Sequence, residues 1–533
     1  MRVESVLSPH GARRAMAGVL LAAAFLGAPP GMRAPAHAAD SGMVRLPGHV
    51  LPALAKAAKA SPGVMPKSGD GANGLLNLTF TLKRDDEAGF QAYLRDVYDP
   101  RSPDFHRFLS QAQLSGRFGP SENDYRQVWN YLQTQGFQLA EGSVNRMTLT
   151  MRGTRAQAEQ AFGIRIDDYR IGNRTFYAND GDPALPPAIA ARIQAIAGLS
   201  DLAVPQPSLQ AIRRALCTSV AALNVYFGNV KLSGTTLAQQ QAEFKAKVEA
   251  CIQHVGDTHA QQTYFFTDPP PPALQGADGT GQTIGLLEFD TFHLSDVADY
   301  ISLIGLAPTK LDDISEIHVN GGAGSTPGAG VDEVLLDIDA VLAIAPGARI
   351  AVYDGAFTGA NTSFQAMFNA MVDDGVDIIS NSWAYCEDQT SLADVQGIDS
   401  ILQSAAASGI SVFNGSGDNG STCLDGATNT IAVPSDSPSA TAVGGSTLTL
   451  TPGDIWGREI WWNGSADTPQ TGQGGFGTSR FFARPAYQDG HTGAAMRSIP
   501  DVVANADPAT GVQICNADEG GCPTGTLNGG TSY

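Results

Sequence analysis

The chain has 533 residues, which is enough for two or three domains. Its formal net charge of −20 argues against a nucleic-acid partner, because phosphate binding needs a basic face. The 60 glycines and 31 prolines predict many turns and loops. The acidic charge fits a protein that works in acid, where protonation relieves self-repulsion, although simple solubility explains it as well.

The N-terminus has the pattern of an export signal. Arg13 and Arg14 precede an apolar run over residues 15–28 that is too short for a stable membrane anchor. Ala36-His37-Ala38 then forms a small-x-small cleavage site, so we predict a signal peptide over residues 1–38. No later stretch predicts a membrane helix. We therefore expect no membrane partner and secretion to the extracellular space or the periplasm.

Six cysteines follow the signal region, and an even number in an exported chain predicts disulfides. No C-x-x-C pair occurs among them, so zinc is not expected. We predict three pairs. Cys515–Cys522 rests on proximity in sequence, Cys386–Cys423 on proximity in the inferred fold, and Cys217–Cys251 on elimination.

Residues 74–200 predict a small α+β domain. Apolar residues at helical spacing indicate one helix over Phe90–Val97, and Ser121 with Asp124 three residues on indicates the start of another. The order βαββαβ predicts a split βαβ, ferredoxin-like arrangement. The predicted elements are a strand over Leu75–Leu82, the two helices, strands at Phe137–Leu139 and Arg146–Met151, a helix over Arg155–Phe162, and a last strand at Ile164 and Ile166.

The next segments separate this domain from the rest of the chain. Residues 205–216 predict a linker that contains Pro205, Pro207 and a basic Arg213-Arg214 pair. Residues 228–280 are polar and then proline-rich, which predicts a surface insertion. The resulting domain division is 1–38, 43–204, 205–216 and 217–533.

From residue 282 on, buried strands alternate with helices, which predicts a doubly wound, mostly parallel sheet. In such sheets the active site lies beyond the carboxyl ends of the strands, and this rule brings Glu288, Ser382-Trp383 and Gly417-Asp418 to one edge. The predicted strands are 283–288, 348–353, 376–382, 410–414 and 441–444, with helices near 332–345, 360–374 and 391–408.

Two carboxylates carry the strongest chemical signal. Glu333 and Asp337 are four residues apart on a predicted helix, so they share one face. Two such groups titrate as a unit and one holds a proton at a raised pKa, which allows base catalysis in acid. The alternative is a solvated acidic helix face.

Asp418 and Ser532 lie in glycine-rich turns. Asp418 follows a predicted strand and fits a protonated acid that donates to an oxyanion; an ordinary turn or a calcium loop are the alternatives. Ser532 lies in Gly529-Gly530-Thr531-Ser532, where the glycines allow a substrate backbone to approach a nucleophile. A chance glycine-rich tail is the alternative there.

Four pieces occur in order: Glu333-x-x-x-Asp337, Ser382-Trp383, Ser416-Gly417-Asp418 and Gly530-Thr531-Ser532. With them the chain resembles the sedolisins, serine-carboxyl peptidases of the kumamolisin type. Residues 74–200 also resemble the family's activation propeptide, notably at 99–109 and 177–183. The resemblance implies a subtilisin-like catalytic domain and an exported, acid-acting endopeptidase made as a zymogen.

The resemblance also implies roles for individual residues. Ser532 would be the nucleophile, Glu333 its general base, Asp337 the partner that shares the proton, and Asp418 the oxyanion donor. Glu288 and Trp383 match positions that support the acid pair. Ser382, Trp383 and Ala384 match the strand that binds substrate.

The resemblance has further implications for partners and cofactors. Protein or peptide substrates are expected, with the propeptide as an intramolecular inhibitor, and we expect a monomer. The family's calcium site would use ligands beyond Tyr533, so no metal ligand is predicted within the chain. We expect that the chain is truncated at its C-terminus. Ala384-Tyr385 replaces the family's usual Gly-Gly, which removes any basis for carrying over substrate preference.

Two other functions remain open. A subtilisin-like Ser-His-Asp peptidase would need a histidine at a helix start; His293 and His318 are the nearest candidates, but their neighbours differ from that motif. An inactive fragment, or an exported binding protein on the same fold, would lack turnover altogether.

Overall fold

The computed structural model describes residues 42–60, 75–212, 277–356, 363–422, 429–451, 455–464, 472–524 and 526–532. The predicted signal peptide, most of the 228–280 insertion, and Cys217, Cys251 and Cys423 lie outside these residues. The predicted Cys515–Cys522 disulfide is present. Cys386 is also disulfide-bonded, and its pairing with Cys423 stays a prediction.

The N-terminal domain is built on a four-stranded antiparallel sheet. The strand order is Gln138–Gly142, Thr148–Thr154, Leu75–Leu82, Ile193–Ala197. Helices pack on one face of this sheet around a core that includes Phe80, Val128 and Phe162. The helices of the domain are Glu87–Tyr98, Gln111–Arg117, Glu122–Thr134, Arg155–Phe162 and Pro187–Ala190.

The local signals that predicted these helices are present as capping contacts. Ser121 accepts a hydrogen bond from the Asp124 N–H, and Thr154 forms a reciprocal capping box with Gln157. Gly163 ends the Arg155–Phe162 helix in a left-handed conformation with φ of 60°. Capping chemistry therefore fixed these helix ends locally.

The prediction for the last strand of the sheet was wrong. Ile164 and Ile166 do not supply the fourth strand; Ile193–Ala197 pairs with Leu75–Leu82 in that position. Ile166–Ile171 instead pairs with Arg174–Asn179 across a turn at Gly172. An adjacent hairpin partner is closer along the chain than the sheet edge, and alternation alone cannot choose between them. The Gln111–Arg117 helix was also missed.

The large sheet of the C-terminal part has eight strands, and the doubly wound prediction is confirmed. Its order is Ile314–His318, Arg349–Asp354, Thr283–Glu288, Ile378–Asn381, Ser411–Gly415, Thr441–Thr451 and Ile455–Trp461, with Val502–Asn505 also pairing with Thr441–Thr451. Every pairing is parallel except that of Ile455–Trp461.

Helices cover both faces of this sheet. Ile284 and Leu286 pack with the Leu294–Leu303 and Val331–Ile344 helices. Leu287 packs on the opposite face with the Phe364–Asp374 and Leu392–Ala407 helices. Consecutive side chains of a strand point to opposite faces, so one strand serves both layers. The other strands from residue 206 on are Gln206–Pro207, Gln210–Ile212, Trp383–Cys386, Ala432–Val433, Gly477–Ala483, Met496–Ile499 and Leu527–Gly529, and short strands in the N-terminal part are Val44–Arg45, Ala58–Lys59 and Ala184–Leu185.

The N-terminal domain docks its open sheet face on the Phe364–Asp374 and Leu392–Ala407 helices. At Gly397 an added Cβ would lie 3.0 Å from the Ala195 Cβ, so the two surfaces are in direct contact. Arg84 donates to the Ser400 carbonyl and the Ser404 hydroxyl at 2.5 and 2.8 Å. Asp373 accepts the Val144 N–H at 2.7 Å, which ties the far end of the interface.

A buried histidine joins the N-terminal segment to this sheet. The His49 Nε2 accepts the Ile196 N–H at 3.0 Å, and Nδ1 lies 3.0 Å from the Leu46 carbonyl oxygen. A ring nitrogen that accepts an N–H cannot carry a proton, so His49 is neutral with Nδ1 as the donor. Burial lowers the pKa of His49, although the charges of Asp182 and Asp394 act in the opposite direction.

We expect the N-terminal domain to lose stability in acid because of His49. The unfolded chain takes up a proton near pH 6.5, but the folded chain, whose His49 pKa is lowered, does not. The stabilising contribution is therefore present above about pH 6.5 and is lost as pH falls below it. Hydrogen exchange of the Ile196 amide, corrected for intrinsic rates, should show protection at pH 7 that decreases by pH 5.

The control for this prediction is the exposed His106. His49→Gln should give a weaker but pH-insensitive protection of Ile196, while His106→Gln should behave as the wild type does. An unchanged pH dependence in His49→Gln would contradict the assignment.

Candidate active site

The carboxyl edge of the large sheet collects the residues that the strand rule singled out. Glu288 ends one strand, Ser382 directly follows Ile378–Asn381, and Asp418 follows Ser411–Gly415. The Trp383 Nε1 donates to the Glu288 Oε2 at 2.8 Å, which joins two of these strand ends. Both side chains have no exposed surface, so this contact lies in the interior.

Glu333 and Asp337 face this edge from the Val331–Ile344 helix. Glu333 is fully buried and Asp337 is 4% exposed, so the pair is not a solvated helix face. The Ser382 hydroxyl reaches both Asp337 oxygens, at 2.9 and 2.8 Å. The helix thus brings two carboxyl groups into an apolar interior. The Ser382 hydroxyl bonds one of them, Asp337.

Burial controls the protonation of this acid cluster. Burial, and then the charge of Asp337, raises the pKa of Glu288 and of Glu333 well above the usual range. Burial raises the pKa of Asp337 to about 7, and hydrogen bonds from Ser382 and Glu288 oppose that rise. The cluster therefore retains protons in acid, and Asp337 is the member whose ionised form is best stabilised.

Asp418 forms a separate buried acid. Its Oδ1 accepts the Thr531 N–H at 2.8 Å and the Thr531 hydroxyl at 3.0 Å. Its Oδ2 is buried and has no hydrogen-bond partner among the described residues. Burial raises the pKa of Asp418 to about 7, against the Thr531 hydrogen bonds. In acid the carboxyl is protonated, and Oδ2 is the oxygen left free to donate.

Ser532 follows the Leu527–Gly529 strand and Gly530-Thr531. Its Oγ donates to the Ser208 carbonyl oxygen at 2.8 Å, and the hydroxyl is close enough to Glu333 to lower the pKa of that residue. Gly530 has φ of 146°, and a Cβ there would lie 1.9 Å from the Ser208 carbonyl oxygen. Only glycine permits this approach of two backbones beside the serine.

An extended stretch, residues 206–212, runs through the site; we call it the cleft segment. On one side of Ser208 it pairs antiparallel with Trp383-Ala384, and the Ser208 N–H donates to the Ser382 carbonyl at 2.8 Å. On the other side Gln210–Ile212 pairs antiparallel with Leu527–Gly529. The backbone is therefore held by strands on both sides of the carbonyl that Ser532 contacts, which is how extended peptides bind by strand addition.

The structure brings the predicted residues together. Ser532, Glu333, Asp337 and Asp418 surround one point, with Glu288, Ser382 and Trp383 behind the acid pair and the Ala384 backbone beside the cleft segment. Sequence reasoning missed Thr531 and Ser208. The hydroxyl next to Ser532 was a signal for Thr531, whereas only the extended chain expected around Pro205 and Pro207 pointed to Ser208.

The histidine candidates do not join this site. The His318 Nδ1 lies 2.5 Å from the Asp354 Oδ1, and this contact raises the pKa of His318. Among the described residues, Ser532 contacts Ser208, Ser382 and Glu333, and none of these three is a histidine. A Ser-His-Asp arrangement therefore has no support at Ser532.

The described residues do not fit a calcium site of the implied kind. One cluster, Glu316, His318 and Asp354, brings three ligand atoms within 4.8 Å of one another. One of its three donors is a histidine nitrogen, whereas calcium takes oxygen ligands. The mechanism proposed for this chain uses no metal ion.

No helix in the described parts of the chain combines the length and apolar character needed to cross a bilayer.

A parallel sheet with helices on both faces, and a serine beside an extended backbone at its carboxyl edge, define a subtilase-type peptidase. Residues 317–532 match the subtilase family, and residues 70–202 match the pro-kumamolisin activation domain. Kumamolisin from Bacillus sp. (strain MN-32) is 28% identical over 86% of this chain and 77% of its own length. Sedolisin from Pseudomonas sp. (strain 101) is 27% identical over 88% and 76%.

A solved structure of Pseudomonas sedolisin, complexed with two molecules of pseudo-iodotyrostatin, is 26% identical. It matches with a TM-score of 0.40 over 50% of this chain and 76% of that chain. The chain thus joins a region like the pro-kumamolisin activation domain to a subtilase-type peptidase domain, and over most of its length it is similar to the sedolisin-family serine peptidases.

Proposed function

We propose that the chain is the exported zymogen of an acid-acting serine-carboxyl endopeptidase. The observation that carries the proposal is the placement of Ser532 between a peptide carbonyl, 2.8 Å from its Oγ, and the buried Glu333–Asp337 pair. A serine beside a peptide carbonyl, a buried carboxyl next to that serine, and an acid with one unbonded oxygen are the groups that would serve as nucleophile, base and oxyanion donor. The 1–38 export pattern and the six cysteines support export, and protein or peptide chains are the expected substrates.

The reaction begins with proton transfer to the acid pair. Glu333 and Asp337 together hold a proton and one negative charge, because burial prevents both from ionising. As the Ser532 Oγ attacks the carbonyl carbon, its proton passes to Glu333 while the proton that Glu333 already held moves to the ionised Asp337, so that both carboxyls end protonated. Trp383 holds Glu288 by a 2.8 Å hydrogen bond, and Glu288 in turn hydrogen-bonds Asp337.

Asp418 stabilises the charge that develops on the carbonyl oxygen. Its protonated Oδ2 donates a hydrogen bond to that oxygen in the tetrahedral intermediate. The intermediate collapses when the C–N bond breaks, and the leaving nitrogen takes the proton held by the acid pair. Water, deprotonated by the same pair, then hydrolyses the acyl-enzyme ester and restores the Ser532 hydroxyl.

In the zymogen the cleft segment holds the place of a substrate. The carbonyl that contacts Ser532 belongs to Ser208, so the scissile bond would be Ser208–Leu209. The N-terminal domain holds this segment in position through its contacts with the two helices behind the cleft. The acid sensitivity of His49 supports release of the domain in acid.

We expect the chain to cut itself in acid. On transfer to acid, the full chain should be cut between Ser208 and Leu209, at a rate independent of protein concentration because nucleophile and bond lie in one molecule. Mass spectrometry of the products should identify Leu209 as the new N-terminus. Ser532→Ala is the matched control and should remain uncut; equal processing of both chains would exclude self-cleavage.

We expect kcat to depend on the protonation of Asp418. Because its pKa is raised to about 7, the carboxyl donates below that pH and is ionised above it, so kcat should fall as pH rises through about 7. Asp418→Asn keeps an N–H donor that does not titrate and should retain part of kcat without this decline. Asp418→Ala should lose about 10²- to 10³-fold in kcat.

Kinetics of the processed enzyme on a peptide substrate, over a pH series, would test this. An alkaline decline that persists unchanged in Asp418→Asn would contradict the role of Asp418.

A further inference from the structure

The helix that carries the acid pair begins without a cap of its own. Its N-cap residue is Gly330, which makes no side-chain capping bond. The first turn of a helix has four N–H groups with no partner inside the helix, and uncapped first turns fray. Glu333 is the third residue of this helix and so lies in that turn. Asp337 lies a full turn deeper.

Asp290, from the loop after the Thr283–Glu288 strand, supplies the missing cap. Its Oδ2 accepts the Gly330 N–H at 2.7 Å, and both of its oxygens accept the Gly328 N–H at 2.9 and 3.1 Å. Its Oδ1 also accepts its neighbour's N–H, at Thr291, at 2.9 Å. The side chain is 6% exposed, so these bonds form away from bulk water.

The turn held by Asp290 has little freedom to move elsewhere. A Cβ at Gly330 would lie 2.5 Å from the Trp383 Cη2, so the backbone is enclosed between the Trp383 ring and Asp290. Asp332 provides a second tether, because it accepts from the Asn516 Nδ2 at 2.7 Å. That bond holds a side chain, whereas Asp290 holds the backbone N–H groups of the turn. Asp337 has its own anchor in Ser382.

We propose that Asp290 is a positioning residue for the hydrolytic reaction: by capping the Val331–Ile344 helix from a neighbouring loop, it fixes Glu333 against Ser532. The proposal rests on the function proposed above. The end of one strand and the loop after it then serve the site in different ways, since Glu288 hydrogen-bonds Asp337 and Asp290 acts through the helix backbone. Loss of Asp290 displaces the base but leaves the substrate-binding strand Trp383–Cys386 unchanged.

The kinetic test uses the full chain with Asp290→Asn and Asp290→Ala. Asparagine retains one acceptor oxygen and alanine retains none, so kcat should fall in that order, by about 10- to 100-fold for alanine, as a misplaced catalytic group produces. KM should stay within about twofold. Asp296→Asn is the control: Asp296 is also buried and accepts a backbone N–H, that of Ala517, but it lies on the Leu294–Leu303 helix and the N–H it accepts is not in the turn that Asp290 holds.

A second measurement needs no activity. In both Asp290 variants, hydrogen exchange should increase near the start of the helix, at residues 331–336. It should stay at the wild-type level in residues 337–344. Asp296→Asn should leave both regions unchanged. If Asp290→Ala does not fold, the asparagine variant carries both measurements.

The possible outcomes distinguish failure of the proposed role of Asp290 from failure of the proposed peptidase function. A wild-type chain no more active than Ser532→Ala would overturn the proposed function, while the exchange measurement would still test the cap. An active wild type with kcat of the Asp290 variants within twofold of it, a change confined to KM, or unchanged exchange at 331–336 would each overturn the role of Asp290.

Discussion

The structure depends on the burial of carboxyl groups that cannot all ionise. Glu288, Glu333 and Asp337 lie together in the interior, and Asp418 is buried nearby. Water would stabilise four negative charges here, but a low-dielectric interior does not, so protons are retained instead. Histidine would be protonated in acid and could not act as a base, whereas this cluster holds a proton and a negative charge at once.

Supporting contacts distribute the protons unequally among these groups. The Ser382 hydroxyl and Glu288 favour the ionised form of Asp337, and Thr531 occupies one oxygen of Asp418 and leaves the other free. Glu333 has neither oxygen bonded among the described residues, and it is the carboxyl next to Ser532. The least restrained carboxyl is thus the one that exchanges a proton in the proposed mechanism.

In the proposed zymogen, the same cleft holds a segment of the chain itself. The cleft segment pairs with strands on both sides of Ser208, and it follows directly in the chain from the N-terminal domain, which is bonded to the Leu392–Ala407 helix. The Gly330 and Gly530 backbones approach the Trp383 ring and the Ser208 carbonyl closely enough that a Cβ would collide with either. Glycine at these two positions therefore serves both the helix start and the entry of a peptide.

Local sequence signals predicted most of the fold. The capped helices at Ser121 and Thr154, and the parallel strands from Thr283 on, follow from contacts within a few residues or from burial on both faces. The carboxyl-edge rule and the i, i+4 spacing placed Glu288, Glu333 and Asp337 correctly relative to the sheet.

Contacts between distant segments could not be predicted. The Ile193–Ala197 strand pairs with Leu75–Leu82 across more than 100 residues, and nothing in its own pattern distinguishes it from the Ile166–Ile171 strand. Ser208 and Asp290 likewise act through backbone groups far away in the chain, and residue type alone carries no information on such partners. Long-range pairing is a property of the assembled fold.

The central claim is that the buried acid pair is the base for Ser532. The most direct test is kcat of the acid-processed enzyme with Glu333→Gln and with Asp337→Asn, beside Asp339→Asn as a buried carboxyl on the same helix that contacts the Cys515 N–H instead. We predict losses of roughly 10⁴-fold or more for the first two variants, with their thermal unfolding cooperative, and little change in kcat for the third. Activity within tenfold of wild type in Glu333→Gln or Asp337→Asn would contradict the claim.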